Sequence, residues 1–167
     1  SSRTSDECVL SIALPIGEID PLVHLPLLGE SYKFRFLWDE SPNRSMAASG
    51  HCQNLALNGP RRFELAQRFS DAVFARLIDT DLVGYQIAPP RILFAFTFFE
   101  QISEISDNIG CPASVEAVLP VWQLSREANS SFLRLNGVVN SQSDARELAE
   151  KIWLMSERLS GQSQIQN

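Results

Sequence analysis

The 167-residue sequence suits one domain with its own core. A hydrophobic fraction of 44% and a charged fraction of 20% are those of a folded globular chain, which excludes general disorder. A formal net charge of −6, with no basic stripe to offset it, excludes a nucleic-acid backbone as partner.

The first seven residues are polar and read as a loose lead. No apolar signal core follows a basic start. Residues 8–14 read as a strand, with Val9, Leu10, Ile12 and Leu14 apolar and Pro15 and Gly17 ending the run. Asp20-Pro21 has the form of a helix start, because Asp accepts from free N–H groups and Pro is tolerated in the first turn. Pro26 keeps that helix short, with an end near Gly29.

Residues 32–38 alternate. Phe34, Phe36 and Trp38 share one face, expected to lie in the core, while Lys33, Arg35 and Leu37 share the other. A hairpin connection follows, then a returning strand over 45–54, whose Ala47, Ala48 and Gly50 allow close approach of a neighbour. After Asn58-Gly-Pro60, a helix is predicted to about Ile78. Phe63, Ala66, Phe69, Val73 and Leu77 form its buried stripe, with Arg61 and Arg62 on other faces and held by carboxylates.

Residues 79–90 read as a connection. The Phe-rich run 91–99 reads as a strand covered on both faces, since it does not alternate. It is too short to cross a membrane as a helix, and no membrane partner is expected. Residues 101–114 read as an exposed loop, 115–126 as a strand bent at Pro120, and 131–139 as its hairpin partner. The last helix spans about 143–159, with Asp144 and Glu147 as a capping box. Ala145, Leu148, Ile152, Met155 and Leu159 are its packing face. Residues 160–167 read as a polar tail. The order of elements gives one α+β domain over residues 8–159, with a mostly antiparallel sheet and packed helices.

Groups capable of chemistry do not converge. Glu100, Glu104 and Asp107 fall in the exposed loop, and Glu147 and Glu150 on a helix surface, all read as solvated charge. His24 and His51 are the only histidines. His51 and Cys52 are adjacent on a strand and so point to opposite faces, which rules them out as a nucleophile–base pair. Cys8, Cys52 and Cys111 are odd in number and form no Cys-x-x-Cys, so free thiols in a reducing compartment are expected rather than disulfides or zinc. No catalytic, cofactor-binding or metal-binding residue is assigned.

Three stretches in order resemble the front of the isochorismate synthases. Residues 33–38 (KFRFLW) with 47–50 (AASG) are similar to that family's aromatic-x-W…A-x-G hairpin. Residues 90–99 (PRILFAFTFF) stand where the family has a strand ending in Phe, with Phe94-Ala95 replacing the usual Gly-Gly. Residues 119–126 (LPVWQLSR) resemble L-P-R-x-x-L-x-R, with Val121-Trp122 in place of a basic residue. The helix at 144–159 also matches in position, so the resemblance covers residues 18–159.

The resemblance implies the front portion of a two-sheet α/β/α sandwich. In such enzymes the general-base Lys, the general-acid Glu and the Glu residues that bind Mg²⁺ lie in the back half. The Lys sits there in a K-V-V-L-A-R-like run that this sequence lacks. By resemblance, the parent enzyme converts chorismate to isochorismate with Mg²⁺, for menaquinone, phylloquinone or salicylate synthesis. The 167-residue chain alone is then a non-catalytic structural domain. Its expected partners are the missing chorismate-binding half and other copies meeting at sheet edges, in the cytoplasm or the plastid stroma. Alternatives are a stand-alone interaction module of the same fold, or the front of an anthranilate or aminodeoxychorismate synthase.

Overall fold

The computed structural model describes residues 7–40, 43–80, 88–98 and 113–165, with side chains as far as Gly161. β1 (Cys8–Pro15) alternates buried and half-buried positions, as its sequence requires. Asp20 then caps α1 (Pro21–Leu28): its Oδ1 accepts the Leu22 N–H at 2.9 Å. β2 (Arg35–Asp39) and β3 (Arg44–Ser49) form the expected hairpin, with Asp39 opposite Ser45.

The predicted returning strand does not run on to residue 54. Gly50 has φ +74 and turns the chain, so Gln53–Leu57 becomes a separate strand, β4. The expected bent strand over 115–126 breaks at the same level into β7 (Val115–Leu119) and β8 (Trp122–Glu127). β3 pairs with β8 and β4 with β7, all antiparallel. One two-stranded ribbon therefore passes from a large sheet into a small one through a bend at Gly50 and Pro120. The Cys52 N–H donates to Leu119 O at 2.8 Å and the Val121 N–H to Ser49 O at 3.0 Å, which carries the ladder across the break.

α2 (Arg62–Ala75) is shorter than expected, because Leu77–Thr80 leaves the helix as strand β5 and pairs parallel to β1. Its buried positions are Arg62, Ala66 and Val73, with Phe63 57% exposed. The expected stripe holds at Ala66, Phe69, Val73 and Leu77, and only Phe63 gives up its inward place, to Arg62. Arg62 takes the inward place because its guanidinium reaches Thr97 Oγ1 and Phe98 O, 3.4 and 3.3 Å away. Arg61 pairs with Glu64 one turn on, at 3.0 Å.

Among the described residues, β6 (Leu93–Phe96) pairs with β7 alone. The expectation that it is covered on both faces fails: Phe94 and Phe96 are each 44% exposed and Phe98 is 90% exposed. Among the described residues it is an edge strand, and its lack of alternation reflects an open apolar surface. β9 (Ser130–Val139) returns from β8 through a tight turn at Ala128, φ 53. α3 (Gln142–Ile165) continues six residues past the predicted end. Its cap lies earlier than expected: the Asp144 N–H donates to Ser141 Oγ, and the Asp144 carboxylate reaches back to the Asn140 N–H at 2.8 Å.

The large sheet has the order β2-β3-β8-β9-β1-β5 and the small sheet β4-β7-β6. Among the described residues only β1 and β5 run parallel, so the architecture is α+β with mostly antiparallel sheets, as the sequence indicated. α1 and α3 cover one face of the large sheet. Trp122, Leu124, Leu133 and Leu135 meet Leu28 of α1 and Ile152, Met155 and Leu159 of α3 there. Fully burying each such aliphatic side chain contributes about 1.5–3 kcal/mol, so the predicted α3 stripe is a main fastening of the domain. α2 packs on the small sheet, and Val9, Val73 and Leu119 form a second core.

A Cβ at Gly50 would lie 2.8 Å from the Tyr32 ring and 2.9 Å from Val121, at a φ that disfavours side chains. Gly50→Ala is expected to lower stability by about 2–4 kcal/mol, the combined scale of overpacking and a left-handed backbone. Urea unfolding followed by circular dichroism measures it. A loss within error of zero would show that the bend does not need glycine.

Candidate functional site

Side chains alternate across a strand, so Arg134 and Asn136 of β9 share the face opposite Leu133 and Leu135. The register sets Asn136 against Ser11 of β1, and Arg134 against Gln123 of β8. Ser11, Gln123, Ser125, Arg134 and Asn136 are all buried. Groups so placed must find partners inside the protein or destabilise it by several kcal/mol.

They do find them. Arg134 is 1% exposed. Its Nη1 donates to Ser11 Oγ and to Asp79 Oδ1, each at 2.7 Å. Its Nε and Nη2 donate to Ala88 O at 3.2 and 2.9 Å. Ser11 Oγ donates in turn to Asn136 Oδ1, and Asn136 Nδ2 donates to Pro120 O at 2.9 Å. Alongside, Gln123 Nε2 donates to Pro89 O at 3.0 Å while its Oε1 accepts the Arg91 N–H at 3.1 Å. Together these side chains hold residues 88–91 against the sheet. Arg134 binds its neighbours through all three guanidinium nitrogens, and an outside anion would have to displace one of them.

Next to this network, Phe36, Trp38, Met46, Arg91, Ile92 and Leu93 line an open slot of about 380 Å³. Phe36 and Trp38 were expected in the core. Phe36 is half-buried and Trp38 is 39% exposed, while Leu37 is the residue of β2 that packs under the helices. The reason is that β2 is an edge strand and the helices cover only its Leu37 face. A wider groove of about 640 Å³ lies between α1 and α3, with Tyr32, Trp122, Lys151 and Arg158 among its walls. Lys151 Nζ stands 5.7 Å from the Trp122 ring centroid, and Arg158 is held by Glu30 at 2.9 Å.

The residues weighed in the sequence fall apart in space. His24 is buried, with Nδ1 2.9 Å from Asp20 O. His51 and Cys52 lie in the bend rather than on one strand, and they still diverge. His51 faces the Phe34 ring and Glu116 Oε1, the latter 3.8 Å away, while Cys52 packs into the second core. Burial pushes the Cys52 thiol up to about 11, so it is neutral and a poor nucleophile at pH 7. Glu147 and Glu150 are exposed on α3. Glu100, Glu104, Asp107 and Cys111 lie outside the described residues. Sequence reasoning passed over Arg134, Ser11, Asn136 and Gln123. The available signal was four polar residues at inward-capable positions of central strands.

A family model described as chorismate binding enzyme matches residues 1–167, the whole sequence. The chain belongs to the chorismate-binding enzyme family. No curated protein sequence matches it. Among solved structures it is similar to MenF, the menaquinone-specific isochorismate synthase from Escherichia coli, with 19% identity and a TM-score of 0.49. That match covers 87% of this chain and 28% of the other, so the chain spans little more than a quarter of its length.

For this member of the chorismate-binding family, the Mg²⁺ implied by resemblance can be tested against the donors present. Among the described residues, no three His, Cys, Asp or Glu side chains converge as a metal site needs. Asp79, the carboxylate nearest the polar network, is already bonded to Arg134. The described residues do not fit the ion. No described helix is long and apolar enough to cross a membrane.

Replacing Arg134 with Leu would strand Asp79 and the Ala88 carbonyl. The side chain of Asp79 is 32% exposed, which screens part of the penalty, and a loss of about 2–4 kcal/mol is expected. Chemical denaturation measures it, and an unchanged midpoint would mean that the network is idle. In a separate test, the iodoacetamide rate at Cys52 should stay low at pH 8 and rise towards about pH 11. Rapid labelling at pH 7 would contradict the buried thiol.

Proposed function

We propose that this chain is the amino-terminal, non-catalytic structural part of an isochorismate synthase, whose remaining residues convert chorismate to isochorismate. The observation that carries the reading is the match of the whole sequence to the chorismate-binding enzyme family. The ordered resemblance at 33–50, 90–99 and 119–126 favours isochorismate synthase within it. The use of the charged groups supports a structural role. Arg134 is committed to Ser11, Asp79 and Ala88, and Arg62 to the end of β6.

On this reading the Mg²⁺, the general base and the general acid belong to other residues of the parent enzyme. Those residues also supply the partner of the open β6 edge, where Phe94, Phe96 and Phe63 lie in ring contact. An apolar edge without charges is a surface that natural proteins cover. The proposed compartment is the cytoplasm, or the stroma in a plastid-bearing organism, and the free thiols at Cys8 and Cys52 suit either.

The test is direct. The purified 167-residue chain, incubated with chorismate and Mg²⁺, is expected to form no isochorismate above a protein-free control. Turnover by the chain alone would overturn its non-catalytic assignment. The product of the complete reading frame is expected to form isochorismate. Anthranilate or aminodeoxychorismate formed in the presence of ammonia would instead assign the chain to one of those enzymes.

A further inference from the structure

The outer side of α3 carries an apolar surface that the core does not use. Arg146, Ala149, Glu150, Trp153, Leu154 and Glu157 recur at spacings of three and four, opposite the half-buried Leu148 and the buried Ile152, Met155 and Leu159. Trp153 is 60% exposed and Leu154 61%. Beside them Ala149 leaves a shallow depression of about 460 Å³, walled by Arg146, Glu150, Trp153 and Leu154.

We propose that this face binds a second copy of the chain, with the two α3 helices antiparallel about a twofold axis between Lys151 and Ile152. A twofold contact must be self-complementary. Set antiparallel about that point, Arg146 opposes Glu157 of the other copy, Ala149 opposes Leu154, and Glu150 opposes Trp153. The long aliphatic side chain meets the small residue beside the depression, twice by symmetry. The cation meets the anion, also twice. Among the described residues, Arg146 and Glu157 take part in no ion pair within the chain, whereas neighbouring Arg158 is held by Glu30. The two Trp153 rings come together near the axis, where a large aromatic contributes most to an interface.

One group opposes the arrangement. Glu150 also comes near its own copy at the axis, and like charges repel. The dimer is therefore weak, with dissociation on the order of 100 µM, as suits a contact at the small end of the specific range. This inference does not depend on which chorismate reaction the parent performs.

Sedimentation equilibrium of the 167-residue chain tests it. The apparent mass should climb from 18.7 kDa towards twice that value at several hundred micromolar. Trp153→Glu should leave a monomer. Arg146→Glu alone and Glu157→Arg alone should each weaken association about tenfold, and the double variant should restore it. Glu150→Gln should tighten it. Circular dichroism and thermal melting confirm that each variant is folded, since all four positions are exposed. A wild-type chain that stays monomeric overturns the proposal. So does a dimer indifferent to Trp153→Glu and to the charge exchange, which would place the contact at a sheet edge such as β6.

Discussion

The bend at Gly50 and Pro120 is the constraint on which the rest of the molecule depends. Two paired strands pass through it from the large sheet into the small one, and both must break at the same level for the ladder to continue. Each breaks for its own reason. Gly50 supplies a left-handed backbone and the space that the Tyr32 ring fills. Pro120 has no N–H to give to a neighbour, so a ladder bond is absent there at no added cost. Its carbonyl is taken up by Asn136 from β9.

Through Asn136 the bend is joined to the polar side of the large sheet. The chain of bonds runs from Pro120 to Asn136, Ser11, Arg134 and then to both Asp79 and Ala88. It links the bend to three consecutive strands of the large sheet, β9, β1 and β5. A buried cation is an expensive way to fasten strands, since the desolvation of a guanidinium offsets much of what its bonds return. Its advantage is geometric. A fork of fixed shape accepts only one register of β1, β5 and β9, whereas apolar side chains would tolerate a slip. The two faces of the sheet thus divide the labour: Trp122, Leu124, Leu133 and Leu135 supply burial under α1 and α3, and Arg134 with its neighbours supplies register.

That division explains what could be read from the residues alone. β1, α1, β9 and α3 carry their own signals: an apolar run closed by Pro15 and Gly17, an Asp-Pro start, alternation around Phe132, Leu133 and Leu135, and a stripe at Leu148, Ile152, Met155 and Leu159. These local patterns survive in the fold because nothing distant competes with them. The failures share a cause in tertiary pairing. A run of small residues ending at Gly50 looks continuous until another strand demands a turn there. Phe63 outranks Arg62 on hydrophobicity, yet only Arg62 reaches the carbonyl of Phe98. Leu77 and Ile78 prolong a helical pattern until β1 offers them a parallel edge. The Phe-rich strand β6 reads as core because its sequence is apolar, and sequence cannot say whether a neighbour is present. The polar network was least legible of all. Ser11, Gln123, Arg134 and Asn136 are distant in sequence, and each looks like the solvent side of an ordinary alternating strand.

What the fold leaves over is then informative about role. The Arg134 guanidinium is sealed into the interior, and the thiol at Cys52 is held neutral by the second core. Surface ion pairs such as Arg61–Glu64 are screened by solvent and mark no site. The unmatched features are apolar instead: the phenylalanines of β6 with Phe63, and the Trp153–Leu154 face of α3. The two differ in kind. β6 combines open backbone groups with aromatic side chains, the form of an edge made to be continued by more sheet. The α3 face has every backbone bond closed within the helix and bears matched opposite charges about a central tryptophan, the form of a surface that meets its own copy. With its core filled, the domain still turns the aromatic groups of β6 and of the outer α3 face outward, and such surfaces are suited to being packed against.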